Sequence, residues 1–331
     1  MSLITRDKNI PLICGGHSRP VCYVEHSHIF KPDDQFYILS TCFDGEAHMR
    51  YGKTGDWIGK FSGHKGAIWS ARFNRNADLV ITASADYSAK LWDATTGEEK
   101  ANFAHEKMVK DVIFSPNERQ MISGGFENML RVWDIERPDT PVSIMNKQSN
   151  PIKHIAWNSL HSDLIITAGV DDNVLRSWDV RGQELVNEYK IESHKNEPIT
   201  SMSITKDSSF IIITSKSRVS FLNAKKMTPL LEFEVDQDVT CAAMQPAGDK
   251  FIVGSSDFSV SVISMSGKKL ENHRGHHGPV KWVSYAPDGK TYASGSDDGT
   301  VRIWQDKVEP YELWQFPGEA SDDTATQADP E

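Results

Sequence analysis

The chain has 331 residues, 38% of them hydrophobic and 25% charged, with a formal net charge of -10. That length allows one large domain or two ordinary ones, and the acidic balance opposes the phosphate attraction that drives direct, non-specific nucleic-acid binding. The longest apolar runs, such as "FIIIT" at 210 to 214, fall far short of a membrane span, and no apolar segment with a small-residue cleavage site marks a secretory signal.

In chain order, "NIPLICGGH" (9–17) reads as a short strand with no sheet of its own. The cysteines Cys14, Cys22, Cys42 and Cys241 form no C-x-x-C pair. That spacing argues against a zinc site and a disulfide framework and fits a reducing compartment, with the thiols buried in core strands. His26 and His28 read as loop or strand surface. "FDGEAHMRY" (43–51) closes a degenerate strand unit near Arg50. Trp57, in "GDWIGKF", falls on the outermost strand of that unit. It either packs between neighbouring units or, if exposed, supports strand addition by a partner.

A repeat organises the rest. Trp92, Trp133, Trp178 and Trp304 each close a strand, the first three as Trp-Asp pairs, at intervals of 41, 45 and 126 residues. Two degenerate units, "SKSRVSFLN" closing at Phe221 and "SSDFSVSVIS" closing at Ile263, fill the long interval and bring the total to seven. His64, His105 and His276 each precede their tryptophan by 28 residues, with His17 and His194 in weaker copies of the same place. Between these marks run alternating Val, Ile, Phe and Tyr residues punctuated by "NRNAD", "SPNER" and "APDGK", which is strand and turn chemistry. A period near 40 to 45 with G-H and W-D marks predicts four-stranded propeller blades. The expected fold is therefore an all-β, seven-bladed WD-repeat β-propeller over residues 1–316, closed by N- and C-terminal strands. Its blades end near Arg50, Trp92, Trp133, Trp178, Phe221, Ile263 and Trp304. The strand at 9–17 completes the blade of Trp304, "PYELWQF" (310–316) packs nearby, and the acidic tail 317–331 is expected to be disordered.

The spacing also explains an Asp placed six residues before Trp92 and before Trp304. The turn Asp accepts a hydrogen bond from the His, which links to a strand Ser or Thr, whose hydroxyl reaches the indole N–H. The four buried polar groups satisfy one another. Blade two supplies His64, Thr82, Asp86 and Trp92; blade seven supplies His276, Ser294, Asp298 and Trp304. A His-Ser-Asp trio invites a catalytic reading, but active sites do not come in serial copies along one chain. No glycine-rich phosphate loop, H-E-x-x-H or G-x-S-x-G is present, and "GHHGP" has too few partners for a metal site. No cofactor, metal or catalytic residue is expected.

Several stretches carry a closer likeness. "PLICGGHSRPV" (11–21), "TGDWIGKFSGHKGAIWSARF" (54–73), "SADYSAKLWDATTGEE" (84–99), "GGFENMLRVWDIERP" (124–138) and "YELW" (311–314) resemble, at matching places, the serine/threonine kinase receptor-associated (unr-interacting) protein family. The resemblance covers roughly residues 10–316 and is weak in blades five and six, where the Trp is replaced and blade five lacks the turn Asp. It implies a cytoplasmic and nuclear adaptor of the survival-of-motor-neuron complex in spliceosomal snRNP assembly. It also implies association with a cold-shock-domain RNA-binding protein and with growth-factor receptor signalling. The i subunit of eukaryotic translation initiation factor three has similar first blades and is the alternative. "WDVR" (178–181) suggests a third reading, a substrate receptor of a cullin-type ubiquitin ligase, although Ser177 stands where that pattern wants an aliphatic residue.

Strand register adds one inference. Each innermost strand starts with an apolar residue, such as Ile68 or Val280, and the residue after it should face the channel mouth. These are Cys22, Trp69, Lys110, Lys153, Thr200, Thr240 and Lys281. The bland reading is a solvated rim. The functional one is a docking site for an acidic peptide, with Trp69 as anchor beside Lys110, Lys153 and Lys281.

Overall fold

The computed structural model describes residues 9–30, 33–145, 148–158, 163–192 and 197–307. These residues form seven four-stranded antiparallel sheets, each running from an inner to an outer strand. The middle strands are buried almost throughout, as in Leu79–Ser84 and Ser88–Asp93, because neighbouring side chains point to opposite faces of the sheet and a flanking blade covers each face. In blade two the strands are Ile68–Phe73, Leu79–Ser84, Ser88–Asp93 and Glu99–Ala104, and the outer one is largely exposed. The third strands of blades five and six, Arg218–Asn223 and Ser259–Ser264, carry Phe221 and Ile263, and that of blade one, Glu46–Tyr51, carries Arg50.

Ring closure uses the chain's first described strand. Leu12–Cys14 pairs antiparallel with Val301–Gln305, placing Leu12 opposite Ile303 and Cys14 opposite Val301, so blade seven gains its fourth strand from the N-terminal side. This removes an open edge next to a buried tryptophan. "PYELWQF" and the tail 317–331 lie outside the described residues.

The core sits between blades. Phe61 on the outer strand of blade one packs 5.9 Å from Trp92 of blade two, and Phe103 of blade two packs 5.4 Å from Trp133 of blade three, ring centroid to centroid. Where blades five and six meet, Phe221, Phe233 and Phe251 form an aromatic cluster around Ile263, which stands in the tryptophan place of blade six. In blade five the register puts Leu222, rather than the expected Phe221, in that place. Full burial of each such side chain is worth roughly 1.5–3 kcal/mol.

Candidate functional site

In blade two the Trp92 indole donates to Thr82 Oγ1 at 2.9 Å, Thr82 meets His64 Nε2 at 2.7 Å, and His64 Nδ1 meets Asp86 Oδ2 at 2.8 Å. The donor order follows from chemistry. The indole can only donate and the carboxylate only accept, so His64 carries its proton on Nδ1 and Thr82 gives its own to Nε2. Blade seven repeats the chain with Trp304, Ser294, His276 and Asp298 at 2.9, 2.7 and 2.9 Å. Burial pushes the His276 imidazole down to about 4. Burial pushes the Asp298 carboxyl up, but bonds from the His277 amide, Thr300 and His276 outweigh it and hold it well below the usual carboxylate range.

Other blades use substitutes that the spacing rule had passed over. In blade three Glu127 takes the Asp place, 3.3 Å from His105, while Ser123 bridges His105 at 2.9 Å to Trp133 at 2.8 Å. In blade four Gln148 takes the His place, 3.4 Å from Thr167, which accepts from Trp178 at 2.9 Å. His194 lies outside the described residues. In blade one His17 reaches Ser40 at 2.9 Å and Asp44 at 3.3 Å, but Arg50 stands where the indole would be. Trp57 fills in from the outer strand: its ring lies under the Arg50 guanidinium at 5.0 Å and edge-on to His48, which stacks on His17 at 3.7 Å. Trp57 stays 46% exposed, so it is not buried between blades.

The seven residues taken from strand register gather around one pocket of about 290 Å³ at a mouth of the central channel, here the upper mouth. A β-bulge places them. The inner strands shift register at Val21/Tyr23, Val109/Asp111, Ile152/His154, Val239/Cys241, Val280/Trp282 and Ile68/Ser70. The skipped residues are Cys22, Lys110, Lys153, Thr240, Lys281 and Trp69. An extra residue in one strand is left unpaired and re-aims its side chain, so the bulge delivers one side chain per blade to the mouth. Thr200 is equivalent, its amide sharing the partner Thr214 with Ser201.

The arrangement there differs from a rim of free lysines around a bare indole. Lys110 Nζ sits 3.0 Å from the Trp69 ring centroid, and Phe43 meets the same ring edge-on at 4.9 Å. Trp69 is therefore capped, because attraction of an ammonium to an aromatic face outweighs staying in the rim water. Lys153 donates to the Ile199 carbonyl at 2.8 Å. Burial pushes both amines down to about 8. Lys281 pairs with Asp297 at 3.0 Å. On the floor, Asp111 faces Arg72 at 3.4 Å and accepts the Ile155 amide at 2.7 Å. Lys110 and Lys153 form no ion pair among the described residues, whereas the nearby carboxylates are engaged. The indole Nε1 of Trp69 is also buried without a hydrogen-bond partner.

Two other clusters are accounted for by the fold. His17, Cys42 and Asp44 converge closely enough to resemble a metal-ligand set. However, Cys42 occupies the place of Ser84 and Ser296, and like them it bonds a carbonyl, that of Arg19 at 3.0 Å. Burial pushes its thiol up to about 12, so it remains a protonated donor. His26 is not surface, as its spacing suggested. It ends an inner strand, is 3% exposed, and bonds Ser284 at 2.9 Å.

Sequence comparisons agree with this architecture. The family model described as "IFT122 first beta-propeller" matches residues 25–305. The serine-threonine kinase receptor-associated protein of Dictyostelium discoideum is 44% identical over 296 residues, covering 89% of this chain and 98% of that protein. The Homo sapiens protein of that name is 34% identical over 322 residues, covering 96% and 89%. The eukaryotic translation initiation factor 3 subunit I of Drosophila grimshawi is 25% identical over 320 residues, covering 88% and 95%.

Proposed function

The chain belongs to the serine-threonine kinase receptor-associated protein family of WD-repeat propellers, and from that premise we propose a non-catalytic interaction scaffold whose upper mouth docks an acidic segment of a protein partner. One observation carries the docking site. Lys110 and Lys153 bring two ammonium groups into a half-buried pocket where, among the described residues, neither forms an ion pair and the lining carboxylates Asp111 and Asp297 are engaged by Arg72 and Lys281. Bringing an anion to them restores pairing that burial has denied. The His–Asp pairs, by contrast, are spent on buried indoles, which supports a structural role for them.

For the cellular role, the resemblance of the first three blades and the last supports an adaptor of the survival-of-motor-neuron complex in snRNP assembly, working in cytoplasm and nucleus. The same resemblance supports binding of a cold-shock-domain RNA-binding protein, and the relatives' name supports association with receptor kinases. The 25% identity to initiation factor 3 subunit I favours a second reading, a translation-factor subunit. Affinity purification from extract separates the two. Recovery of the Sm-assembly machinery fits the first reading; stoichiometric recovery of initiation-factor subunits without Sm-assembly proteins overturns it.

A further inference from the structure

The channel has a second mouth on the opposite face, with a cavity of about 310 Å³. The C-terminal ends of four inner strands line it with Phe73, Phe114, Trp157 and Ile204, and Lys206 stands beside them. Lys206 donates to the Ser27 carbonyl at 3.0 Å and forms no ion pair among the described residues. An ammonium has three protons to donate. The cavity thus offers aromatic and aliphatic walls and, in Lys206, an ammonium that lies in the field of Glu25 yet has protons left to donate, in the size range where small apolar sites begin.

The described chain leaves the propeller on this same face. Asp306 accepts the Tyr285 hydroxyl at 3.0 Å and pairs with Lys250 at 2.8 Å, and its amide bonds the Lys290 carbonyl. Tyr285 is the last residue of blade seven's inner strand, Val280–Tyr285, so the exit point lies against the inner ring. The sequence that follows is "VEPYELWQF" (308–316). Tyr311, Leu313, Trp314 and Phe316 are apolar or aromatic, and Glu309 and Glu312 are acidic, in a stretch directly before the polar, acidic run 317–331. Nine extended residues reach roughly 30 Å, enough to turn back to the channel.

We propose that residues 309–316 seat on the lower mouth, aromatic side chains in the cavity and a glutamate at Lys206. The chain thereby fills its own second site and leaves the upper mouth to partners. Leaving such aromatic groups in water forfeits the burial the cavity offers.

The test uses the full chain with a photo-crosslinking benzoylphenylalanine in place of Trp314. The expected product is an intramolecular link to peptides containing Phe73, Phe114, Trp157 or Ile204. Links to the upper face, to outer strands or between two chains overturn the proposal. A second readout is tryptic cleavage after Lys307. Trp314→Ser and Lys206→Glu, the latter at an exposed lysine, should both speed it, the first roughly tenfold, by releasing a protected segment. Unchanged cleavage in both variants also overturns it.

Discussion

Lys110 Nζ rests 3.0 Å from the centroid of the Trp69 ring, joining the inner strands of blades three and two across the upper mouth. Burial has already moved this amine toward its neutral form, to about 8. A partner carboxylate placed beside it would raise it again, so docking is linked to proton uptake. The bound state then holds more protons above pH 8. Affinity for an acidic peptide is expected to be full below about pH 8 and to weaken as pH rises toward the ordinary lysine value. Calorimetry at pH 7 and pH 9 checks this; equal affinity at both contradicts it.

Asp86→Ala removes the acceptor of the His64 proton in a site where every group is paired. The variant should lose about 1–3 kcal/mol, read as a lower urea midpoint at unchanged slope. Glu127→Ala should behave similarly, because Glu127 anchors both His105 and Arg131. An unchanged midpoint in either variant would show that the carboxylate is dispensable to its blade.

Acid should weaken the fold through its buried imidazoles. His17 and His276 are pushed to about 4 and His26 to about 3, chiefly by burial, against an ordinary value of 6.5. Between those values the unfolded chain binds more protons than the folded one. Stability is therefore fully present above about pH 6.5 and is lost as pH falls toward 4. Unfolding midpoints measured from pH 7.5 to 4.5 should decline steadily, and a flat profile would show the imidazoles to be solvated.

Tyr87 follows Asp86 in the turn with φ of 67° and is 52% exposed, whereas Gly45 and Gly299 hold the same turn position in blades one and seven at 84° and 77°. A bulky side chain costs energy in this left-handed region. Tyr87→Gly should raise stability by about 0.5–1 kcal/mol after the glycine's unfolded-state entropy is counted. Differential scanning calorimetry tests this; a lower midpoint would mean that the ring packs favourably where it stands.

Much of this fold is legible in the sequence because one solution is written several times. The interval from Gly-His to Trp fixes strand number and order, and the residue after each inner strand's first apolar position falls on the bulge that feeds the upper mouth. The substitutes are harder to read, although a signal exists. Glu127 follows His105 by the same 22 residues that separate His64 from Asp86. Gln148 precedes Thr167 by 19, against 18 for His64 and Thr82. A different residue type at the right offset is a chemical equivalence that a search for repeated letters misses.

Contacts between blades left no such mark. The capping of Trp69 by Lys110 joins positions 41 apart whose neighbourhood exists only after the ring closes. Within blade one, Arg50 over Trp57 is equally unmarked, because a register shift at Met49/Arg50 brings together two residues that pattern alone assigns to separate roles. His26 misleads for a related reason. A polar residue at a strand end reads as surface, but here the end of the strand lies inside the channel.

Binding at the upper mouth is the most direct test of the account. Lys110→Gln with Lys153→Gln, and separately Trp69→Ala, should be compared with the parent for binding to a purified acidic partner at low and physiological salt, after circular dichroism has verified folding. The lysine pair should weaken binding and flatten its salt dependence, since charge attraction is screened over about 8 Å at physiological ionic strength. Trp69→Ala should cost roughly 1–3 kcal/mol of binding, both through lost apolar contact and by freeing Lys110 from its perch. Parent-like affinity and salt dependence in both variants would contradict the claim and move the docking surface to the outer strands.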